Sequence, residues 1–279
     1  MKVSFFNKQV VKSFYGFVSV IATVISLALI FFPMPEDITF TVKVWHAMGL
    51  LTIFIALYLI IWLCANAQKE AKLKINGIEV SVKTGDLFAE NGNFKVIPFN
   101  EHFDTKADDV IISKSSLNGI YINRYFNGAE KELAKRIASD PRLKKVVNVV
   151  ETPERGRSRM TYPLGTIHKE GDFLLLAFSK FNQNNEAYLD DKTLWECLIN
   201  MWREIGTTYA GKSIDLPLVG SGITRLQNIN INGQELLELI LLSLKVSGLC
   251  LNWNVSINVI IHPNNAKHIN FYKLQDYLD

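Results

Sequence analysis

Residues Phe14 to Phe32 read FYGFVSVIATVISLALIFF, nineteen positions without a charge. As a helix, that length spans roughly 28 Å, close to the hydrocarbon thickness of a bilayer. Val44 to Leu63, VWHAMGLLTIFIALYLIIWL, adds twenty positions whose one titratable side chain is His46. Between them lies PMPEDITFTVK, where Pro33 and Pro35 stop the first helix. The pattern predicts a transmembrane hairpin over residues 1–68, with spans near 14–32 and 44–63. A cleavable secretory signal fits poorly. Phe31-Phe32-Pro33 offers no small-residue cleavage site, and a second span follows.

Lys2, Lys8 and Lys12 precede the first span, and Lys69, Lys72 and Lys74 follow the second. The link carries Glu36, Asp37 and Lys43. Lysine excess on the outer flanks predicts both termini in the cytoplasm, hence a multi-pass protein of the cell (inner) membrane. Tyr15, Trp45, Tyr58 and Trp62 sit where interfacial aromatic anchors belong. Ser19, Thr23 and Ser26 share one helical face. Two readings stand: hydroxyls bonded to their own backbone, favoured at rest, or a polar stripe for helix association or a wetted pore.

Beyond a short helical or irregular linker, Ala65 to Lys74, the period changes. LKINGIEVSVK alternates apolar and polar residues around Asn76-Gly77, a hairpin-turn dipeptide. Strand-length apolar runs recur at 94–99, 109–113, 144–150, 173–179, 213–219 and 255–261, several of them suited to burial on both faces. Helical patterns lie between them. Residues 128–140 are amphipathic and stop at Asp140-Pro141. Trp195, Leu198, Ile199 and Trp202 form a buried stripe. Residues 234–248 are apolar nearly all round and end on Gly248. The alternation predicts an α/β three-layer domain with a mixed central sheet over residues 69–279.

Composition narrows the chemistry. The chain has 279 residues and a net charge of +3, with a mean hydropathy of +0.12. No basic run interleaved with aromatics points to nucleic acid. Cys64, Cys197 and Cys250 lack metal or disulfide spacing and read as reduced thiols. His46, His102, His168, His262 and His268 are dispersed, so no metal ligand set is expected; His262 and His268 read as surface residues near the last strand. The basic loop Pro153 to Arg159 reads as a solvated charged loop, with closure over ligand phosphates or contact with a neighbouring subunit as the other readings.

DLPLVGSGITRL, residues 215–226, runs a buried strand into Gly220-Ser221-Gly222 and then Arg225. Such a turn either packs tightly or lets backbone N–H groups approach a phosphate. The glycines alone leave both open. The order of motifs shifts the balance: GDLF (85–88), VIPFN (96–100), SKSSLNGIY (113–121), YPLGTIHK (162–169) and LPLVGSGITRL (216–226). In that order and spacing, residues 75 to 279 resemble the macro domain. The resemblance implies a pocket for ADP-ribose or a derivative. Asp86, beside Leu87, would accept from the adenine amino group. Gly220, Ser221, Gly222, Ile223, Thr224 and Arg225 would cradle the pyrophosphate. Asn100 and the loop of Ser115, Ser116, Asn118 and Gly119 would face the distal ribose. The bland alternatives are a turn-capping aspartate and a strand-end asparagine.

Catalytic macro domains tend to carry a second asparagine and a run of glycines after the strand-end asparagine; here the chain reads Asn100-Glu101-His102-Phe103-Asp104. That departure favours binding over hydrolysis, and no catalytic residue or cofactor is assigned. Two spans joined to such a domain resemble the membrane effector of the Thoeris anti-phage system in its transmembrane–macro form. The resemblance implies a sensor of an ADP-ribose-type signal, histidine–ADP-ribose for this form. A partner TIR-domain enzyme makes that signal from NAD. It also implies a homo-oligomer that disrupts membrane lipid. The alternatives are a membrane-tethered ADP-ribose hydrolase, with Asn100 or Asp104 positioning a water, and a plain membrane-bound interaction module.

Overall fold

The computed structural model describes residues 2–32, 39–152, 157–182, 186–222, 225–227, 230–252 and 254–276. They form two compact units, described in turn.

The first unit holds two helices, α1 (Lys8–Phe31) and α2 (Phe40–Ala67), and the C-terminal 3-10 helix Tyr272–Asp276. Both long helices are apolar enough to cross a membrane by length and composition, with mean hydropathies of 2.3 and 2.5. They extend past the apolar stretches. Asn7 starts α1 by accepting from the Gln9 and Val10 N–H groups. Lys43, assigned to the link by sequence, lies in α2. Pro33, Pro35, Glu36 and Asp37 lie outside the described residues. Phe14 of α1 packs on Phe54 and Tyr58 of α2, which sets the two helices antiparallel. The hydroxyls of Ser19 and Thr23 bond the carbonyls of Gly16 and Ser19, each at 2.8 Å, so both already have backbone acceptors.

The second unit spans Glu70–Ile269. Strand β1 (Glu70–Ile75) begins inside the stretch expected to be a linker and pairs antiparallel with β2 (Ile78–Thr84). Asn76 and Gly77 both take positive φ, 51° and 82°, as a two-residue type I′ turn requires. The remaining strands are β3 (Phe94–Asn100), β4 (Asn148–Thr152), β5 (Arg157–Thr161), β6 (Ile167–Glu170), β7 (Phe173–Phe181), β8 (Ala187–Leu189), β9 (Ile214–Pro217), β10 (Arg225–Leu226) and β11 (Ser256–Ile261). The helices are α3 (Leu117–Tyr125), α4 (Glu130–Ser139), α5 (Asp191–Thr208), α6 (Gly233–Ser247) and α7 (Pro263–Ala266).

Among the described residues one mixed sheet runs β1-β2-β11-β9-β3-β7-β8-β10, with β6 beside β7. From β2 through β11, β9 and β3 to β7 the strands are parallel, so their carboxyl ends share one edge. Leu175 and Ala177 of β7 join Ile97 and Phe99 of β3 in a core that also holds Tyr121 and Ile122 of α3 and Leu133 and Ile137 of α4. The alternating residues Leu174, Leu176 and Phe178 are buried on the other face. There α5 reaches the sheet, with Cys197 Sγ 3.8 Å from the Phe178 carbonyl. Helices α5 and α6 are joined by Trp202 Nε1–H donating to Ser243 Oγ at 2.8 Å, both buried. Helix α6 is less enclosed than its composition suggests, because Leu242 and Val246 are exposed. Gly248 ends it with φ of 65°, the left-handed cap expected.

Two apolar runs are not strands of the main sheet. In 109–113 the Asp108 carboxylate accepts from the Val110 and Ile111 N–H groups, at 3.0 and 2.9 Å, and Asp109 takes φ of 63°. That side-chain capture of backbone donors makes a loop. In 144–150 the chain makes a 3-10 turn, Leu143–Lys145, and then β4, which pairs only with β5 among the described residues. Of the basic loop, Pro153 to Gly156 lie outside the described residues.

Asp140 follows α4 and accepts from His168 Nδ1–H at 2.7 Å and from the Arg142 N–H at 2.8 Å. Burial alone would raise the Asp140 pKa; these hydrogen bonds and that of Leu143 overcome it and hold the carboxyl below its ordinary value. A depressed carboxyl contributes stability above its unfolded pKa of about 3.9 and loses it as pH falls through the folded value. Asp140→Asn is therefore expected to lower stability by roughly 1–2 kcal/mol at pH 7. The gap from the unsubstituted chain should close toward pH 3. Thermal unfolding of the full chain in detergent at both pH values checks this, and equal stability at pH 7 would contradict it.

Candidate functional site

The shared carboxyl edge opens into a cleft of about 540 Å³, within the roughly 300–1,000 Å³ usual for small-molecule sites. Six pieces of chain build it.

The end of β2 supplies Asp86. Gly85 N–H bonds the Ile261 carbonyl at 3.0 Å, locking this turn to the end of β11. Asp86 Oδ1 accepts from Phe88 N–H at 3.0 Å, so the turn-capping role is real. Asp86 is also exposed and lines the cleft, while Leu87, another lining residue, is buried against the core.

The end of β3 supplies Asn100. The pairing of β3 with β7 slips between Phe99 and Asn100, a bulge that sets Asn100 at the cleft. Its side chain is committed to its own loop. Oδ1 accepts from the His102 and Asp104 N–H groups, each at 3.1 Å, and Nδ2 donates to Asp104 Oδ2 at 2.8 Å.

The loop from Asp108 to Ser116 forms one wall. The Ile111 N–H, the Lys106 ammonium and the Val110 N–H hold the Asp108 carboxyl well below the carboxylate range, so this brace is charged at any physiological pH. Ser115, Ser116 and Asn118 line the cleft. Ser116 caps α3 by accepting from Gly119 N–H. Gly119 itself does not reach the cleft. It is buried beneath the wall, where a Cβ would lie 2.1 Å from the Ser113 carbonyl oxygen, so glycine is required for packing.

The end of β9 supplies the glycine turn. Gly220 has φ of 86° and packs against Phe178 and Leu236. Ser221 folds back, with N–H and Oγ on the Leu218 carbonyl at 3.2 and 2.6 Å. Among the described residues the Gly220 and Gly222 N–H groups donate to no carbonyl. Ile223, Thr224 and the Arg225 side chain lie outside the described residues; the Arg225 backbone pairs with Tyr188 in β10.

The fifth piece was not assigned from sequence. His262 and Asn265, at and just beyond the end of β11, line the cleft, and Asn265 Nδ2 donates to Ser221 Oγ at 3.1 Å. His262 is exposed, as read, yet faces the site. The rule that ligands sit where parallel strands end would have found it, had the strand order been known. The sixth piece, Phe178 and Phe181 of β7 with Glu186 just before β8, was missed for the same reason.

No lysine or arginine is among the described lining residues, and the described residues hold no group of three metal-capable side chains. Among the described residues the cleft is lined by hydroxyls, by the acceptor Asp86 at the β2 side, and by Gly220 and Gly222, whose N–H groups meet no carbonyl.

A mixed sheet covered on both faces, with a cleft at its carboxyl edge and a glycine turn in it, is the architecture of an α/β small-molecule-binding domain. A family profile described as the macro domain of Thoeris protein ThsA matches residues 80–262. Thoeris protein ThsA of Bacillus amyloliquefaciens (strain Y2) is 41% identical over 207 residues, covering 74% of this chain and 69% of that protein. This chain belongs to the Thoeris ThsA macro-domain family. Among solved structures, the Oceanobacillus iheyensis macrodomain with MES bound has a TM-score of 0.44 at 13% identity, covering 74% of this chain and 94% of its own. The same macrodomain with ADP has a TM-score of 0.43 at 15% identity, with the same two coverages, 74% and 94%.

The two glycines of the turn differ in what they require. Gly220→Ala places a Cβ at positive φ, 3.4 Å from Phe178, and is expected to cost roughly 1–2 kcal/mol. Gly222→Ala meets nothing within 4 Å and is expected to stay within about 0.5 kcal/mol. Thermal unfolding of the two variants measures the difference, and equal losses would contradict this account of the turn.

Proposed function

We propose that this chain is a membrane-anchored sensor-effector of anti-phage defence. Its cleft binds an ADP-ribose-derived nucleotide, histidine–ADP-ribose in this reading, made by a partner TIR-domain enzyme from NAD. Ligand binding drives assembly of further copies, and the assembled hairpins disrupt the inner membrane, with both termini cytoplasmic. Asp86 meets the adenine amino group. Gly220 to Arg225 hold the pyrophosphate. Asn100 and the loop from Ser115 to Asn118 border the distal ribose. Nucleic acid has no part in this reading.

One observation carries it. A cleft lined by Gly220 and Gly222, whose N–H groups meet no carbonyl among the described residues, sits on a chain that also bears two helices long and apolar enough to span a bilayer. Membership of the Thoeris family supports the defence setting. A ligand that prefers the assembled state shifts the population only by its differential affinity, so a tight, unhydrolysed ligand suits the task.

Binding without turnover is favoured over hydrolysis by the state of Asn100. Its amide and the Asp104 carboxylate bond each other at 2.8 Å, and its oxygen already takes two backbone N–H groups. Both side chains are thereby engaged with each other and with their own loop.

Calorimetry on the detergent-solubilised full chain tests the reading, with ADP-ribose, histidine–ADP-ribose and NAD as titrants and particle mass measured before and after. Expected are binding of one ADP-ribose-type ligand, growth in mass and no product. Asp86→Ala and Gly222→Ala should each weaken binding by roughly tenfold or more. No affinity for any of the three would overturn the proposal, and product formation abolished by Asn100→Ala would replace it with a hydrolase.

A further inference from the structure

Phe5 and Phe6 precede both apolar stretches in the sequence, yet the hairpin unit places them beside one. The Phe5 ring packs on Tyr58 and Trp62 of α2, with centres 5.0 and 5.3 Å apart, and Phe6 meets Phe5 edge to face at 5.1 Å. The backbone is pinned there. The Tyr58 hydroxyl donates to the Phe5 carbonyl, and Trp62 Nε1–H donates to the Val3 carbonyl at 3.0 Å. Asn66 Oδ1 accepts from the Lys2 and Val3 N–H groups at 2.9 and 3.0 Å. Val3 is buried with Val10 and Ala65, which closes the foot of the hairpin.

These contacts set a depth. Tyr58 stands five residues inside the Leu63 end of its uncharged run, roughly 7 Å along a helix. Phe14, the first residue of the other uncharged run, packs on the same Tyr58 ring at 5.3 Å. Phe5 is therefore level with the start of the apolar stretch of α1. The first residues of the chain turn back to that level and are held at it.

Phe6 has no task within the fold. It stands just before the N-cap Asn7, where an apolar residue commonly staples to the fourth helical residue, here Val11. Phe6 is 80% exposed, so its ring is not spent on such a staple. The charges around it have one sign. Lys8, Lys12 and Tyr15 fall at i, i+4 and i+7, an exposed face of α1. Burial, and after it the Lys69 ammonium, hold the Lys2 pKa below its ordinary value, a cost that a nearby anion would relieve. Residues 1–32 and 40–69 contain no aspartate or glutamate. Aromatic rings level with the end of an apolar shaft, with lysines just outside them, match a bilayer boundary, where rings enter the headgroup layer and ammonium groups meet anionic lipid.

We propose that residues 2–12 are an interfacial anchor that seats Phe5 and Phe6 at the headgroup boundary and uses Lys2, Lys8 and Lys12 to select anionic phospholipid. The anchor rests on the membrane reading proposed above.

Two measurements on the full chain in vesicles test it. The first attaches a nitroxide at Phe6→Cys or, separately, at Phe17→Cys within α1. The background is Cys64→Ser with Cys250→Ser, which leaves only the buried Cys197. In vesicles of phosphatidylcholine and phosphatidylglycerol, the label at 6 should be relaxed by oxygen in preference to a water-soluble nickel chelate, as at 17. Chelate access at 6 with lipid exposure at 17 would overturn the anchor and leave the membrane reading standing. Chelate access at both positions would overturn both. The second measurement draws the chain from equimolar vesicles of the two lipids and counts the retained lipid by mass spectrometry. The unsubstituted chain should enrich phosphatidylglycerol roughly threefold or more, and Lys8→Gln with Lys12→Gln should cut that enrichment at least about twofold. Both lysines are exposed, so the foot stays intact in that variant. Adding Lys2→Gln should lower the enrichment further. Equal lipid ratios in the unsubstituted and substituted chains would overturn the selection of anionic lipid.

Discussion

Where parallel strands end together, their last backbone N–H groups lose the ladder that satisfied them, and something must take them up. In this chain five such strands end on one edge. Side chains answer most of the demand. Asp86 takes the Phe88 N–H, Asn100 takes those of His102 and Asp104, and Asp108 takes those of Val110 and Ile111. The glycine turn is the place left open. Ser221 closes on Leu218, while Gly220 and Gly222 keep donors that no carbonyl fills among the described residues. The cleft is thus a consequence of the topology, and the glycine turn is the part of its rim where, among the described residues, backbone donors meet no carbonyl.

How far this was legible in the sequence depends on the range of the interaction. Local chemistry read well. Asn76-Gly77 announced its type I′ turn, Gly248 its left-handed cap, and the Trp195 to Trp202 stripe its helix, although the buried face is turned toward Leu194, Cys197, Leu198, Met201 and Trp202 and leaves Trp195 and Ile199 half-buried. Residues 109–113 read wrongly, because an apolar run says strand while the preceding Asp108 silently takes the backbone donors a strand would need. Gly119 read as part of the same loop as Ser115, Ser116 and Asn118, which line the cleft; it is buried beneath that wall, where a Cβ would lie 2.1 Å from the Ser113 carbonyl oxygen. His262 and Asn265 were invisible as site residues because only the strand order brings the end of β11 between β2 and β9. The motif order carried the family, since a family is a statement about sequence; the cleft wall needed the fold.

The hairpin unit follows a different logic. Its long helices bury almost nothing within the chain, and their interior hydroxyls at Ser19, Thr23 and Thr52 are bonded to carbonyls of the same helix. That is how helices meant for an apolar solvent settle their polar groups. Specific tertiary contacts gather instead at the foot, where Asn66, Trp62 and Tyr58 fix the N-terminal segment and Asn270 to Tyr272 close over it. Polar side chains gather at the base and apolar ones along the shaft, which is long and apolar enough to cross a membrane.

The central claim is that the Gly220-Ser221-Gly222 turn is a phosphate cradle. An experimental structure of the full chain with ADP-ribose tests it most directly. The account expects diphosphate oxygens within about 2.7–3.2 Å of the Gly220 or Gly222 nitrogen, with the adenine beside Asp86. A ligand bound elsewhere, or a bound ligand whose phosphates leave that turn untouched, would contradict it and return the turn to a packing role.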